Sequence, residues 1–208
     1  MKIEIWSDFA CPFCYLGKRR LELALEDYDK KDDVEISFRS FELDPSAKKK
    51  YDESLHELIA GKYGISVEEA KASNSQIISQ AKEVGLNYNF EDIIPTNTFD
   101  AHRLTQYAKI KGKGMELTER IFKAYFEESL NISDHQILSG LAEEVGLSKE
   151  EAMEVLESEK YTEEVRQDQK SASRYAVRGV PYFLIDDKYA VSGAQPTETF
   201  LQVLRKLG

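Results

Sequence analysis

Lys2-Ile3-Glu4-Ile5-Trp6, followed shortly by Cys11-Pro12-Phe13-Cys14, is the stretch whose reading decides how this chain folds. Residues 2 to 6 alternate in the manner of a strand. From Pro12 onward the spacing of Leu21, Leu25 and Tyr28 predicts a helix, and a proline suits its first turn. After the charged run from Asp27 to Asp33, Val34-Glu35-Ile36-Ser37-Phe38-Arg39 alternates again and reads as a half-buried strand. A strand, a crossover helix and a second strand imply that the two strands run parallel.

Beyond Asp44-Pro45 the pattern changes. Up to about Val177 no segment reads as a strand, and helix signals follow one another. Ser66 with Glu69, Ser133 with Gln136 and Ser148 with Glu151 have capping-box spacing, in which a hydroxyl and a longer side chain satisfy the orphan amides of a helix start. Gly64, Gly85 and Gly146 stand where helices would stop. The hexapeptides Ala81 to Leu86 and Ala142 to Leu147 are nearly the same, AKEVGL and AEEVGL, and are read as two similar helix ends rather than as a repeat. Strand character returns at Tyr182-Phe183-Leu184-Ile185. A turn at Asp186-Asp187-Lys188 and a second strand, Tyr189-Ala190-Val191-Ser192, make a hairpin, and a last helix is expected from Thr197 to Leu207.

With 208 residues the chain can bury a core without covalent staples. No apolar run approaches the ~20 residues of a membrane helix, so no membrane partner is expected. A net charge of -10 opposes phosphate binding and argues against a nucleic-acid partner. Because Met1 leads straight into a strand, without a charged and then apolar leader, the expected location is the cytoplasm.

There are 2 cysteines, and in a reducing compartment a structural disulfide is a poor explanation for them. If the pair opens a helix, Cys11 lies at the cap and Cys14 one turn later on the same face. The unpaired amides and the positive end of the helix dipole favour a thiolate at Cys11. A thiolate so stabilised leaves readily, so a Cys11–Cys14 bridge would be labile. It would also close too short a loop to add much stability. Two plainer readings compete. A zinc site would need four ligands, and His56, His102 and His135 show no paired ligand spacing; no metal is expected. The cysteines could also be small buried hydrophobes.

Three blocks carry a further resemblance: Trp6-Ser7-Asp8-Phe9-Ala10-Cys11-Pro12-Phe13-Cys14-Tyr15-Leu16-Gly17, Asn97-Thr98-Phe99-Asp100-Ala101-His102-Arg103-Leu104, and Gly179-Val180-Pro181-Tyr182-Phe183. In these, in the same order along the chain, the sequence resembles the DsbA family of thioredoxin-fold proteins, in particular its cytosolic FrnE-like branch. The resemblance implies an α/β fold, a thioredoxin-like mixed four-stranded sheet with an inserted all-helical domain. Residues 1–43 and 161–208 would form the thioredoxin-like domain and 44–160 the insertion, with the helix from Thr162 to Tyr175 packing back on the sheet.

The same resemblance implies a thiol-disulfide oxidoreductase in which Cys11 attacks, Cys14 resolves and Pro181 is a cis-proline beside them. Substrates would be disulfide-containing proteins or small thiols. Glutathione is a candidate redox partner, and no tightly bound cofactor is expected. Phe13 stands where the periplasmic proteins carry His and brings neither charge nor hydrogen bond, so a potential in the glutaredoxin range, roughly -200 to -230 mV, is expected. The second cysteine pair of some FrnE-like proteins is absent, which closes any relay between two internal pairs. Glutathione-dependent 2-hydroxychromene-2-carboxylate isomerases are similar too, but usually have Ser at the position of Cys11. Such an isomerase and a noncatalytic binding module are the alternative functions.

Substrate contacts are expected from Phe13, exposed between the cysteines, and from the Val180 backbone, on which an extended substrate could pair as an added strand. Asn97 and His102 are further candidates, from the segment that the resemblance lays over the cleft, although Asn97 equally suits a helix cap and His102 a structural role. Trp6 and Tyr182 read as core rather than as an apolar rim. Monomer and homodimer remain open.

Overall fold

The structure is a computed structural model that describes residues 1–208. Four strands form one mixed sheet in the order β2-β1-β3-β4: β1 Lys2–Ser7, β2 Glu35–Ser40, β3 Tyr182–Ile185 and β4 Tyr189–Ser192. β1 and β2 run parallel, with Ile5 opposite Phe38. β1 and β3 run antiparallel, with Ile5 opposite Phe183, and the hairpin β3–β4 completes the sheet. The fold is thus the α/β, thioredoxin-like mixed sheet that the sequence implies. Asp186 and Asp187 turn the hairpin with φ of 48° and 56°, a left-handed pair that Asp tolerates better than most residues.

The chain divides into two compact units, Met1–Leu43 with Glu164–Gly208, and Asp44–Glu163. In the sheet unit the period-2 alternation sends side chains to two faces. α1, Pro12–Glu26, and α9, Thr197–Leu207, cover one face, where Phe183 meets Phe200 edge to face with ring centroids 4.8 Å apart. α8, Thr162–Arg174, covers the other, where Trp6, Leu184 and Ala172 form a buried cluster with Val180 and Tyr182 packed against it. The Trp6 indole donates to the Asp168 carbonyl at 3.0 Å. Arg39 joins the two layers by ion pairs to Glu4 and Asp168, and the second Asp168 oxygen accepts the Ser40 amide at 2.9 Å.

The other unit holds α2 Leu55–Tyr63, α3 Val67–Glu83, α4 Phe99–Ile110, α5 Gly114–Phe126, α6 His135–Glu144 and α7 Lys149–Leu156. Full capping boxes open α2, through Ser54 and Glu57, and α3, through Ser66 and Glu69. The box expected at Ser133 is corrected. Asp134 caps α6 by accepting the Gln136 and Ile137 amides, because a carboxylate one residue closer to the helix suits those donors, and the Ser133 hydroxyl bonds the Lys49 carbonyl and Asn131 instead. At α7 the box is half made: Ser148 accepts the Glu151 amide, while the Glu151 carboxylate is taken by Lys111 and Tyr107.

AKEVGL and AEEVGL end α3 and α6 by the same device. The Leu86 amide reaches the Ala81 carbonyl and the Gly85 amide reaches Lys82, as Leu147 reaches Ala142 and Gly146 reaches Glu143. This is a Schellman ending, and it needs the left-handed φ of 80° at Gly85 and 86° at Gly146. Both leucines are buried, which anchors the stop. The likeness of the two hexapeptides is therefore local chemistry.

Candidate active site

Asp8 sets the approach from β1 into α1. Its carbonyl accepts the Cys11 amide at 3.1 Å, and its carboxylate accepts the amides of Ala10, at 3.4 Å, and Leu43, at 2.7 Å. Held by this turn, Cys11 becomes the cap residue of α1 with extended backbone (φ -94°, ψ 111°), and Pro12 occupies the first turn, where its missing N–H costs nothing. No side chain caps α1, so its first amides are not quenched by a capping oxygen. The Cys14 amide bonds the Cys11 carbonyl at 3.0 Å, which brings the second cysteine round to the side of the first.

Both thiols are free and buried. Cys11 retains 4% exposure and Cys14 1%, so Cys11 is marginally the less buried of the two. Burial pushes the Cys14 thiol well above the ordinary range, and the neighbouring Cys11 thiol, which interacts with it directly, pushes it further. The Ser7 hydroxyl and the Asp8 amide, the latter 3.5 Å from the sulfur, act in the opposite sense and hold it down.

The loop before β3 brings in the third part. The Val180–Pro181 bond is cis, and the Cys11 thiol points at the Val180 carbonyl, 3.6 Å away. Val180 is fixed by its side chain, packed on the Trp6 cluster. Pro181 is fixed by its carbonyl, which accepts the Gly193 amide at 2.8 Å, and by α1 itself. At Gly17 a Cβ would lie 3.0 Å from the Pro181 Cγ and 3.2 Å from Phe183, so only glycine lets the helix come this close.

The structure therefore brings together Cys11, Cys14, Val180 and Pro181, with Phe13 beside them at 40% exposure. Trp6 is buried in the core, and Tyr182 is partly buried against it. Asn97 and His102 belong to the helical unit, at the start of α4. The Asn97 side chain is engaged at both ends, accepting the Phe99 amide at 2.9 Å and donating to the Ala47 carbonyl at 3.0 Å, as a residue organising a helix start does. His102 is buried. No three His, Cys, Asp or Glu side chains converge as metal ligands, and no helix is long and apolar enough to cross a membrane. Ser7, which the sequence reading quoted only as part of a motif, proves to be a neighbour of Cys14. Its position as the last residue of a strand running into the cysteines was the available signal.

Comparison with known proteins agrees with this fold. The family model of the DSBA-like thioredoxin domain matches residues 2–205. A probable DsbA oxidoreductase from Streptomyces coelicolor is 40% identical and superposes with a TM-score of 0.95, over 99% of this chain and 89% of that one. The uncharacterized protein YwbO of Bacillus subtilis is 34% identical over 95% of this chain and 92% of its own length. At 18% identity, a 2-hydroxychromene-2-carboxylate isomerase shares the fold, with a TM-score of 0.74 over 100% of this chain and 96% of that one.

Proposed function

The chain belongs to the DsbA-like thioredoxin family, and from this membership together with its paired thiols we propose that it exchanges disulfides with protein or small-thiol substrates through Cys11 and Cys14. The observation that carries the reading is the arrangement of the sulfurs. The marginally less buried thiol, at the amino end of α1, faces the Val180 carbonyl, and the other lies one turn behind it.

Chemistry follows from that order. Uncapped amides and the helix dipole favour negative charge on Cys11, and a thiolate there attacks one sulfur of the substrate disulfide. The first substrate thiolate leaves and takes up a proton, and a mixed disulfide to Cys11 remains. Cys14 then attacks the Cys11 sulfur, expelling the second substrate thiol and leaving the protein as a Cys11–Cys14 disulfide. The substrate gains the two electrons that the dithiol loses. The reverse sequence oxidises a substrate dithiol, and glutathione is the small thiol we assign to reset the pair. Phe13 supplies an apolar contact beside the sulfurs, and Val180 a backbone edge for an extended substrate.

Insulin-disulfide reduction coupled to glutathione tests the proposal. Cys11→Ser lowers turnover by about a thousandfold or more, and Cys14→Ala traps a mixed disulfide on Cys11. Turnover of an aromatic carbonyl compound with glutathione, persisting in Cys14→Ala while insulin is left untouched, would overturn it. A glutathione-equilibrated titration is expected to give roughly -200 to -230 mV.

A further inference from the structure

A buried hydroxyl without a partner is uncommon, since leaving it unbonded costs about 1–3 kcal/mol. Ser7 is 5% exposed, and its Oγ meets no solvent and makes no hydrogen bond within ordinary limits. The neighbouring residue, Asp8, aims its amide at the Cys14 sulfur from 3.5 Å. Cys14 is also the group on which the Ser7 hydroxyl acts. Two consecutive residues, one at the end of β1 and one in the turn after it, thus meet at a single sulfur: the Asp8 amide bonds it, and the Ser7 hydroxyl lies near it unbonded.

From this geometry we infer that Ser7 is a further catalytic residue, whose hydroxyl joins the Asp8 amide in binding the Cys14 thiolate during the resolving step. The inference rests on the oxidoreductase reading for its kinetic part and on the buried pair of donors for its structural part. In the dithiol form the sulfur is a weak, neutral acceptor, and the hydroxyl gains little from it. Once Cys14 loses its proton, the same donors face an anion, and hydrogen bonds to an ion are about twice as strong as those between neutral groups. The site thus gives most when charge develops. Without it, burial alone would hold Cys14 as an unreactive thiol. In the step itself the Cys14 proton passes through solvent to the departing substrate sulfur, the Cys14 sulfur bonds to Cys11, and the bond from Cys11 to the substrate breaks.

The test begins in the Cys11→Ala background, where the remaining thiol is Cys14 and the influence of the Cys11 sulfur is gone. Thiolate absorbance is followed against pH, with near-ultraviolet circular dichroism to verify folding. Adding Ser7→Ala raises the Cys14 midpoint by about one unit, tenfold less thiolate at a given pH, and Ser7→Thr, which keeps the hydroxyl, returns it toward the Ser7 value. An unmoved midpoint in folded Ser7→Ala overturns the inference, as does a shift that Ser7→Thr fails to reverse, which would assign the effect to packing. With both cysteines present, single turnover of a substrate disulfide in Ser7→Ala shows the mixed disulfide accumulating about tenfold longer while its formation is unchanged. Equal lifetimes overturn the kinetic role. A native protein that never forms a mixed disulfide at Cys11 overturns the oxidoreductase reading instead, whatever the titration gives.

Discussion

Arg39 in the sheet unit and Arg103 in the helical unit solve different problems with the same side chain. Arg39, 35% exposed, pairs with two carboxylates, Glu4 on β1 and Asp168 on α8, and so ties a helix to a sheet whose own backbone groups already pair in the ladder. Arg103, 4% exposed, pairs with Asp100 at 2.9 Å and spends its other donors on main-chain oxygens. It reaches Lys160 at 2.9 Å and Val155 at 2.5 Å, and also bonds the Ser158 carbonyl. Those carbonyls lie at and beyond the carboxyl end of α7, where helical amides run out; Val155 also accepts from Ser158. A sheet completes its hydrogen bonds through neighbouring strands, whereas a set of short helices must import donors for its ends. The chemistry we propose belongs to the first kind of unit.

The comparison breaks most visibly at Arg103. Arg103→Met leaves the buried Asp100 carboxylate and the Lys160 and Ser158 carbonyls short of a donor, and we expect it to lower stability by about 3–5 kcal/mol in urea unfolding. A loss below 1 kcal/mol would mean that water replaces the guanidinium without cost. Gly17→Ala probes the sheet unit at its tightest point, because the new methyl meets a proline ring and an aromatic ring at 3.0 and 3.2 Å. Overpacking of this sort costs about 1–3 kcal/mol, and insulin reduction should fall as α1 moves away from Pro181. Unchanged turnover and melting would show that the approach is slack.

Acid reaches both units. Burial raises the Asp100 carboxyl, but hydrogen bonds from Lys49, His135 and Arg103 outweigh it and leave the group below its usual value. Glu4 behaves alike, raised by burial and lowered further by Arg39 and Lys2. A carboxyl depressed in the folded state adds stability that is present above its unfolded value, about 4, and is lost as pH falls through the folded one. Hydrogen exchange measured down to that range should show protection falling near α4 and near β1. Protection that stays constant there would contradict both assignments. The smallest effect is expected from Gly146→Ala, which forces a side chain into a left-handed ending and costs about 1 kcal/mol; a thermal melt that does not move would argue that α6 can end another way.

The sheet unit was largely legible in the sequence because alternation needs only neighbours. The hairpin Tyr182–Ile185 and Tyr189–Ser192 and the helix Thr197–Leu207 have the expected bounds. The placing of the two cysteines at the start of α1 was legible for a similar reason, since spacing and a preceding strand suffice for it. That Pro181 lies beside them was not, because Val180 and Cys11 are 169 residues apart, and only family resemblance suggested the contact. Asp168, Arg39 and Ser7 escaped the reading too. Their roles depend on what packs opposite, and no local period encodes that. Caps fell between these cases: Ser66 and Glu69 were recognisable, while at α6 the serine and the neighbouring Asp134 competed for one site and residue chemistry decided.

The strand order β2-β1-β3-β4 also bears on how the chain is made. β1 is soon followed by its parallel neighbour β2, yet its antiparallel neighbour β3 is made only after the whole helical unit. While the helical unit is being made, one edge of β1 therefore lacks its partner, and both cysteines wait without the carbonyl that later faces one of them. Long-range pairing of this kind closes late. The facing of Cys11 and the Val180 carbonyl accordingly forms only after the helical unit has been made.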